Sequence, residues 1–150
     1  MRGIYVLLIS LGGEASVRVG GLGRIDFKAG TYAYVGSGLG SSSSSAEGRL
    51  RRHFSKRKRM HWHIDYLLGD RRFKLLAAIL SEAGRPVECD LARGILGDSR
   101  ARVVHRGFGA SDCLCDGHLV FFEGLNGSEA ERLVWERFKG LGLKPERWKQ

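Results

Sequence analysis

The first 36 residues consist of four strand-length segments separated by glycines, and this spacing leaves no room for a helix. Residues 3–10 form a continuous apolar run, which is typical of a strand buried on both faces. Residues 16–19 and 24–27 each alternate polar and apolar side chains, and the glycines between them indicate a hairpin. Residues 31–35 supply the fourth strand. The pattern predicts an antiparallel meander rather than a βαβ unit.

The remainder of the chain predicts helices and short strands. Ser44 with Glu47, and Ser128 with Glu131, have the spacing of capping boxes that begin helices. Residues 36–45 are rich in glycine and serine, which suits a mobile loop. Six elements are predicted after this loop. They are a helix through Leu50 and Phe54, a short helix or turn at 61–68, a strand at 73–80, a helix from Pro86 through Val87, Leu91 and Ile95, a strand at 119–122 and a helix at 128–139. The predicted fold class is α/β (α+β), with a small, mostly antiparallel sheet flanked by helices in one domain over residues 1–150.

The charge balance favours a polyanionic partner. The formal net charge is +9 and the pI is about 9.9, from 25 Lys and Arg against 16 Asp and Glu. Such an imbalance is typical of proteins that bind nucleic acid. A basic helix on a membrane surface needs a long apolar face opposite its charges, which the most basic stretch lacks. With no long apolar run and no secretory signal pattern, the sequence predicts a cytoplasmic protein without a membrane partner.

Basic residues are densest between residues 49 and 59. A charge run of this kind is either a nucleic-acid contact surface or only a solvated face. The seven cations are Arg49, Arg51, Arg52, Lys56, Arg57, Lys58 and Arg59.

Two tripeptides, Gly3-Ile4-Tyr5 and Tyr34-Val35-Gly36, each place a phenol and a glycine on the same predicted strand. A glycine lets a bulky group such as a phosphodiester approach the backbone closely. Tyrosine is also an ordinary strand residue, so the alternative is a pair of aromatics at the edge of the core. The two tripeptides therefore suggest phosphodiester chemistry without establishing it.

Glu88 lies at the first turn of a predicted helix and shares a stripe with core-facing residues, where a carboxylate needs a partner. It is either a glutamate that interacts with the helix dipole or a ligand for a cation of the Mg²⁺ type, which proteins often hold with one or two carboxylates.

The segment 61–65 (His-Trp-His-Ile-Asp) has three interpretations: an amphipathic segment docked on the core, an active-site or DNA contact, or a weak metal motif. Three cysteines, Cys89, Cys113 and Cys115, favour reduced thiols or metal ligands over a disulfide framework. Cys113, Cys115 and His118 have a spacing that zinc accepts, but no fourth ligand is evident unless Cys89, Asp112 or Asp116 provides it, so structural thiols are the preferred interpretation.

These motifs together resemble the GIY-YIG endonuclease superfamily, and more closely its Uri-type branch. The superfamily elements, in the family's order, are Gly3-Ile4-Tyr5, Tyr34-Val35-Gly36, Arg49-Leu50 with His53-Phe54, and Glu88. The branch resemblance extends through residues 32–37, 61–67, 88–89, 107–109 and 118–119. The sequence departs from the family in two places. Tyr5 and Tyr34 are 29 residues apart where about a dozen is usual, which predicts an extra hairpin between the two motif strands. Ser37 stands where several members of the family have lysine.

The resemblance implies a metal-dependent endonuclease that hydrolyses DNA phosphodiester bonds, with RNA not excluded. The implied catalytic residues are Tyr5, Tyr34, Arg49 and Glu88, with His53 as a weaker candidate, and Glu88 is the implied ligand of one Mg²⁺ or Mn²⁺. A tyrosine, with a pKa near 10, acts as a base only beside a cation that favours phenolate, and Arg49 is a candidate for that cation. Arg49 is equally suited to clamping the scissile phosphate.

The predicted nucleic-acid contacts are Ser37, Arg51, Arg52, Lys56, Arg57, Lys58, Arg59 and His63. Two alternatives stay open. One is a catalytically weak or inactive binding module on the same fold, suggested by the long motif spacing and by Ser37. The other is a zinc-stabilised interaction domain built around Cys113 and Cys115.

Overall fold

Strand β1 (Gly3–Leu11) lies at the centre of the structure because its side chains are apolar on both faces. The computed structural model describes residues 1–109 and 117–149. After β1, in chain order, come β2 (Ala15–Arg18), β3 (Arg24–Phe27), β4 (Gly30–Gly38), α1 (Ala46–Phe54), α2 (His63–Leu68), β5 (Phe73–Glu82), α3 (Glu88–Leu96), β6 (Ala101–Val103), β7 (Leu119–Phe122), α4 (Gly127–Gly140) and β8 (Glu146–Arg147).

Six strands of the described residues form one antiparallel sheet in the order β6-β7-β4-β1-β5-β8. The predicted fold class, an α+β fold with an antiparallel sheet flanked by helices, is confirmed. In the β1–β4 pairing, Tyr5 lies opposite Gly36 and Leu7 lies opposite Tyr34. Residues two apart on a strand share a face, so the two phenols are diagonal neighbours on one side of the sheet.

The two faces of the sheet have separate cores. On one face, Tyr5, Leu7 and Ile9 pack with the β2–β3 hairpin, α1 and α2. On the other face, Ile4 and Val6 pack with α3 and α4. The continuous apolar run of β1 therefore serves both layers.

The inserted hairpin was predicted correctly, but the meander was not. Strands β2 and β3 pair only with each other, in a second sheet, and β1 pairs directly with β4. The alternating pattern of the hairpin explains this arrangement, because Val17, Ile25 and Phe27 give it one apolar face that covers the core instead of extending the main sheet.

Both predicted capping boxes were wrong, because each helix is capped by a different residue close by. Helix α1 is capped by Ser45, whose Oγ accepts a hydrogen bond from the Gly48 backbone N–H at 3.0 Å. Ser44 belongs to a short 3₁₀ turn, and Glu47 instead pairs with the N-terminal ammonium at 2.7 Å.

Helix α4 is capped by Asn126 and Glu129 rather than by Ser128 and Glu131. The cap falls on Asn126 because its extended backbone and short side chain satisfy the first N–H groups of the helix.

Within the described residues, the helices fall short of the length and apolar character required to cross a lipid bilayer.

Candidate active site

A pocket of about 290 Å³ opens beside the paired tripeptides of β1 and β4. It brings together the four residues that the resemblance implied as the main catalytic set, although they are up to 83 positions apart in the chain. Its lining residues are Tyr5, Tyr34, Val35, Gly36, Ser37, Arg49, His61, Trp62, His63, Glu88, Gly109 and His118.

Gly36 makes room for the phenol of Tyr5. A Cβ atom at Gly36 would lie 2.5 Å from Cζ of Tyr5 and 2.6 Å from its Oη. Gly109 serves Tyr34 in the same way, because it has a φ of +68° and a Cβ there would lie 2.8 Å from Cε1 of that ring. The close approach predicted beside Gly36 is thus made by a side chain of the protein itself.

The Tyr5 phenol is hydrogen-bonded to His53, with 2.7 Å between Oη and Nε2. Burial lowers the pKa of His53 to about 3, so this imidazole is neutral at pH 7. Its Nδ1 is buried without a hydrogen-bond partner in the described structure. His53 thus belongs to the layer directly behind the pocket.

Both phenols are neutral in the protein alone. Burial raises the pKa of Tyr5 well above its usual value, and Tyr34 adds to this effect while Arg49 partly opposes it. Burial likewise raises the pKa of Tyr34, reinforced by Asp65 and again opposed by Arg49. Arg49 lowers the pKa of both phenols, as expected, but their burial raises it by more.

Arg49 presents a cation to the pocket. Its Cζ lies 4.9 Å from the centre of the Trp62 ring, close enough for a cation–π contact. Among the described residues, its guanidinium has no carboxylate partner. This planar fork is therefore available for a bidentate bond to a phosphate.

Arg52, by contrast, is bonded within the protein. Its Nη1 and Nη2 donate to the two carboxylate oxygens of Asp65 at 2.8 Å each, and its Cζ lies 4.4 Å from the Trp62 ring centre. The fully buried Asp65 also accepts the backbone N–H groups of His61 and Trp62, at 2.9 Å each. Burial tends to raise the pKa of Asp65, but these hydrogen bonds outweigh that effect and lower it. This set of contacts, called here the Asp65 network, holds the pocket wall in place.

Lys58 is also engaged internally. Its Nζ donates to the backbone carbonyls of His53 at 2.9 Å and of Ser55 at 2.7 Å, at the C-terminal end of α1. A cation is favourable there because of the helix dipole. Its predicted contact with nucleic acid therefore competes with a structural role, whereas Lys56, Arg57 and Arg59 are exposed.

Glu88 is the first residue of α3 and lies at the pocket. Its Oε2 is buried and has no hydrogen-bond partner in the described structure. A buried carboxylate oxygen without a donor is costly unless a cation or a proton meets it. No cluster of three or more potential ligands occurs among residues 1–109 and 117–149. Proteins often hold Mg²⁺ with only one or two carboxylates, and water and substrate oxygens complete its coordination. A single Mg²⁺ or Mn²⁺ fits this donor set.

Residues 4–140 match a protein-family model described as a domain of unknown function, DUF123. The chain belongs to the DUF123 family. No curated protein matches the chain. No solved structure matches it either. The part that matches the DUF123 model includes every residue of the pocket.

The pocket of this DUF123 protein also contains histidines that the motif analysis did not place in the catalytic set. His63 Nδ1 accepts a hydrogen bond from the Gly109 N–H at 2.9 Å, which joins the pocket wall to the loop beside Tyr34. His118 is buried, and its Nε2 lies 3.6 Å from the Cys89 sulfur. His61 also lines the pocket. In the sequence, the signal for His61 and His63 was their position on either side of Trp62.

The cysteine prediction was wrong for Cys89, which is disulfide-bonded. The pairing depends on which chain segments meet in space, and residue spacing alone does not show this. Cys113 and Cys115, around which the zinc interpretation was built, lie outside the described residues.

Proposed function

We propose that this protein is a metal-dependent endonuclease that hydrolyses DNA phosphodiester bonds. One observation carries the proposal: a single pocket combines the guanidinium of Arg49 with a buried carboxylate oxygen of Glu88, beside two phenols, and neither group has a hydrogen-bond or ion-pair partner among residues 1–109 and 117–149. An anion and a divalent cation together satisfy these groups, and a phosphodiester with Mg²⁺ or Mn²⁺ provides both. The resemblance to the GIY-YIG superfamily supports the same chemistry.

In this proposal Arg49 holds the scissile phosphate and stabilises the charge that develops on its oxygens. Glu88 holds the cation, which when bound supplies Lewis acidity to the phosphate. In the tautomer that carries its proton on Nδ1, the neutral His53 accepts the phenolic hydrogen of Tyr5 at Nε2, and the Tyr5 oxygen then keeps a lone pair to orient a water. Tyr34 lies beside the same space and completes the wall.

The decisive experiment is single-turnover cleavage by Glu88→Gln across a Mn²⁺ titration. Removing the charge while keeping the shape should reduce cleavage by about a hundredfold or more, with binding of the same DNA retained. Glu136→Gln, an exposed glutamate on α4, is the matched control and should cleave normally. The proposal fails if Glu88→Gln cleaves DNA as well as the control does.

A binding module with little turnover is the second candidate. The observation that favours it is the raised pKa of both phenols, which leaves neither as a ready base. A panel of single-stranded, duplex and branched DNA and RNA, assayed with Mg²⁺ and Mn²⁺, separates the two candidates. Tight binding without cleavage of any member supports the binding module.

A further inference from the structure

A second cavity, of about 380 Å³, lies at the C-terminal end of α1, apart from the candidate active site. Its lining combines two aromatic side chains with two cations and includes no carboxylate. The lining residues are Arg51, Phe54, Ser55, Trp148 and Lys149. This volume is within the range of small-ligand pockets, about 300–1,000 Å³.

The charges around the cavity favour an anionic ligand. Arg51 and Lys149 are exposed, and neither has a carboxylate partner among the described residues. The two acidic residues of the segment 46–68, Glu47 and Asp65, are both engaged elsewhere, by the N-terminal ammonium and by Arg52. The pKa of Glu47 is lowered chiefly by its hydrogen bond to the N-terminal ammonium and least by Arg51, so this acid neutralises the rim only in part.

The aromatic residues favour a ligand with a flat ring. Phe54 and Trp148 are each only partly buried against the core, so they combine an apolar surface with access to the cavity. The Nε1 atom of Trp148 is itself buried and has no hydrogen-bond partner in the described structure, so the exposed part of this side chain is its apolar ring surface. Aromatic side chains beside unpaired cations are the usual means by which proteins bind single-stranded nucleic acid.

The loop between α1 and α2 joins this cavity to the candidate active site. Its first residue, Ser55, lines the second cavity, and His61 near its end lines the first. The exposed cations Lys56, Arg57 and Arg59 lie between them. A backbone that follows this loop would meet cations along its length.

We propose that the second cavity binds an unpaired nucleobase of a nucleic-acid strand that runs from the scissile phosphate along the loop between α1 and α2. The substrate class is then single-stranded DNA, or DNA with an unpaired segment beside the scissile phosphate. A base inside an intact duplex reaches such a cavity only after it is flipped out of the stack, which costs energy. The proposal rests on the proposed nuclease function for its reference to a cut, but the base-binding cavity itself is testable without cleavage.

The test measures binding by fluorescence anisotropy, with a labelled 12-nucleotide oligothymidylate as the single strand and a labelled hairpin with a 12-base-pair stem as the duplex. Both are measured in EDTA so that no cleavage occurs. The wild-type protein should bind the single strand more tightly than the duplex. Arg51→Ala with Lys149→Ala should weaken single-strand binding about tenfold and affect the duplex less. Arg132→Ala with Lys139→Ala removes the same two residue types from the opposite face of the sheet and should leave binding unchanged.

A second pair of variants tests stacking separately from charge. Trp148→Phe keeps an aromatic ring and should retain most of the affinity, whereas Trp148→Leu should lose roughly five- to hundredfold, as for the loss of one stacked base. If Trp148→Leu does not fold, the exposed Arg51 and Lys149 double variant still decides the question. Single-strand binding equal to wild type in that double variant overturns the proposal.

Cleavage assays distinguish failure of this inference from failure of the nuclease proposal. Cavity-dependent binding without metal-dependent cleavage supports the base site and refutes the nuclease. Metal-dependent cleavage that is equal on single strands and duplexes, and unchanged in the double variant, refutes the base site alone.

Discussion

Gly36 illustrates how a single missing side chain positions the candidate catalytic group. The Tyr5 ring crosses the neighbouring strand at Gly36, where no Cβ obstructs it, and its Oη thereby reaches His53. The glycine of the second tripeptide and the tyrosine of the first therefore act as one unit across the β1–β4 pair.

Gly36→Ala should displace the Tyr5 phenol. The added methyl would meet the ring at 2.5 Å, so overpacking should cost roughly 1–3 kcal/mol of unfolding free energy. Cleavage should fall by roughly a hundredfold because the phenol is misplaced by about 1 Å. Urea unfolding and single-turnover cleavage measure the two effects. Gly12→Ala, where a Cβ meets nothing within 4 Å, is the control, and equal behaviour of the two variants would refute this role for Gly36.

At the scale of elements, helices α1 and α2 are joined through the Asp65 network. Arg52 on α1 meets Asp65 on α2, and the same carboxylate holds the two backbone N–H groups before α2. Trp62 is thereby fixed beneath the guanidinium of Arg49. Asp65 is a positioning residue, because it contacts the pocket only through its neighbours.

Asp65→Asn should destabilise the fold by roughly 3 kcal/mol, because it leaves the Arg52 cation without its buried partner. The pocket wall should loosen, so kcat should fall while the affinity for DNA changes less. Denaturant unfolding combined with separate kcat and KM measurements checks this. Asp70→Asn, which removes an exposed pair with Arg72, should cost less than about 1 kcal/mol. A comparable loss of stability in both variants would argue against a special role for Asp65.

The loop between α1 and α2 should bind phosphate through Arg57 and Arg59. Replacing both by Ala should reduce the slope of log K against log salt concentration by about two for duplex DNA, because each cation releases about one counterion. Lys58 is left intact because it caps α1. Equilibrium binding from low to physiological salt measures the slope, and an unchanged slope would show that the loop is only a solvated face.

At the scale of the whole molecule, buried neutral histidines make stability depend on pH. Burial lowers the pKa of His53 to about 3 and lowers those of His63 and His118 as well. The unfolded chain binds protons at these histidines near pH 6.5, whereas the folded protein binds them only at lower pH. Their stabilising effect is therefore complete above pH 6.5 and is lost as the pH falls below it.

Urea unfolding at pH 7.5, 6.5 and 5.5 should show a declining free energy of unfolding below pH 6.5. Each such histidine contributes at most about 1.4 kcal/mol per pH unit. His53→Gln should make the decline shallower, whereas His61→Gln, the same change at an exposed position, should not. A decline that is equally steep in wild type and in His53→Gln would exclude His53 as its source.

The helices, the inserted hairpin and the longer strands were predictable from the sequence because they depend on local patterns, whereas the short strands β6 and β8 were not predicted. Apolar runs, alternation and glycine breaks are set by neighbours in the chain, and β1, β5 and β7 lie where these patterns indicated. The cap positions were less predictable, since several serines compete near the start of α1 and three-dimensional contacts select among them.

The roles of the cations were decided only by the tertiary structure. In the sequence, Arg49, Arg52 and Lys58 are equivalent members of one basic run. In the fold, Arg52 meets a carboxylate 13 residues away, Lys58 meets the carbonyls at a helix end, and Arg49 is left facing the pocket. The carboxylate oxygen of Glu88 reaches the same pocket from a helix on the other face of the sheet. The amino-acid sequence alone established that this chain is strongly basic. Only the tertiary structure determined which of its charges stay available for a partner, because a charged group is neutralised within the protein when packing brings a second group within bonding distance of it.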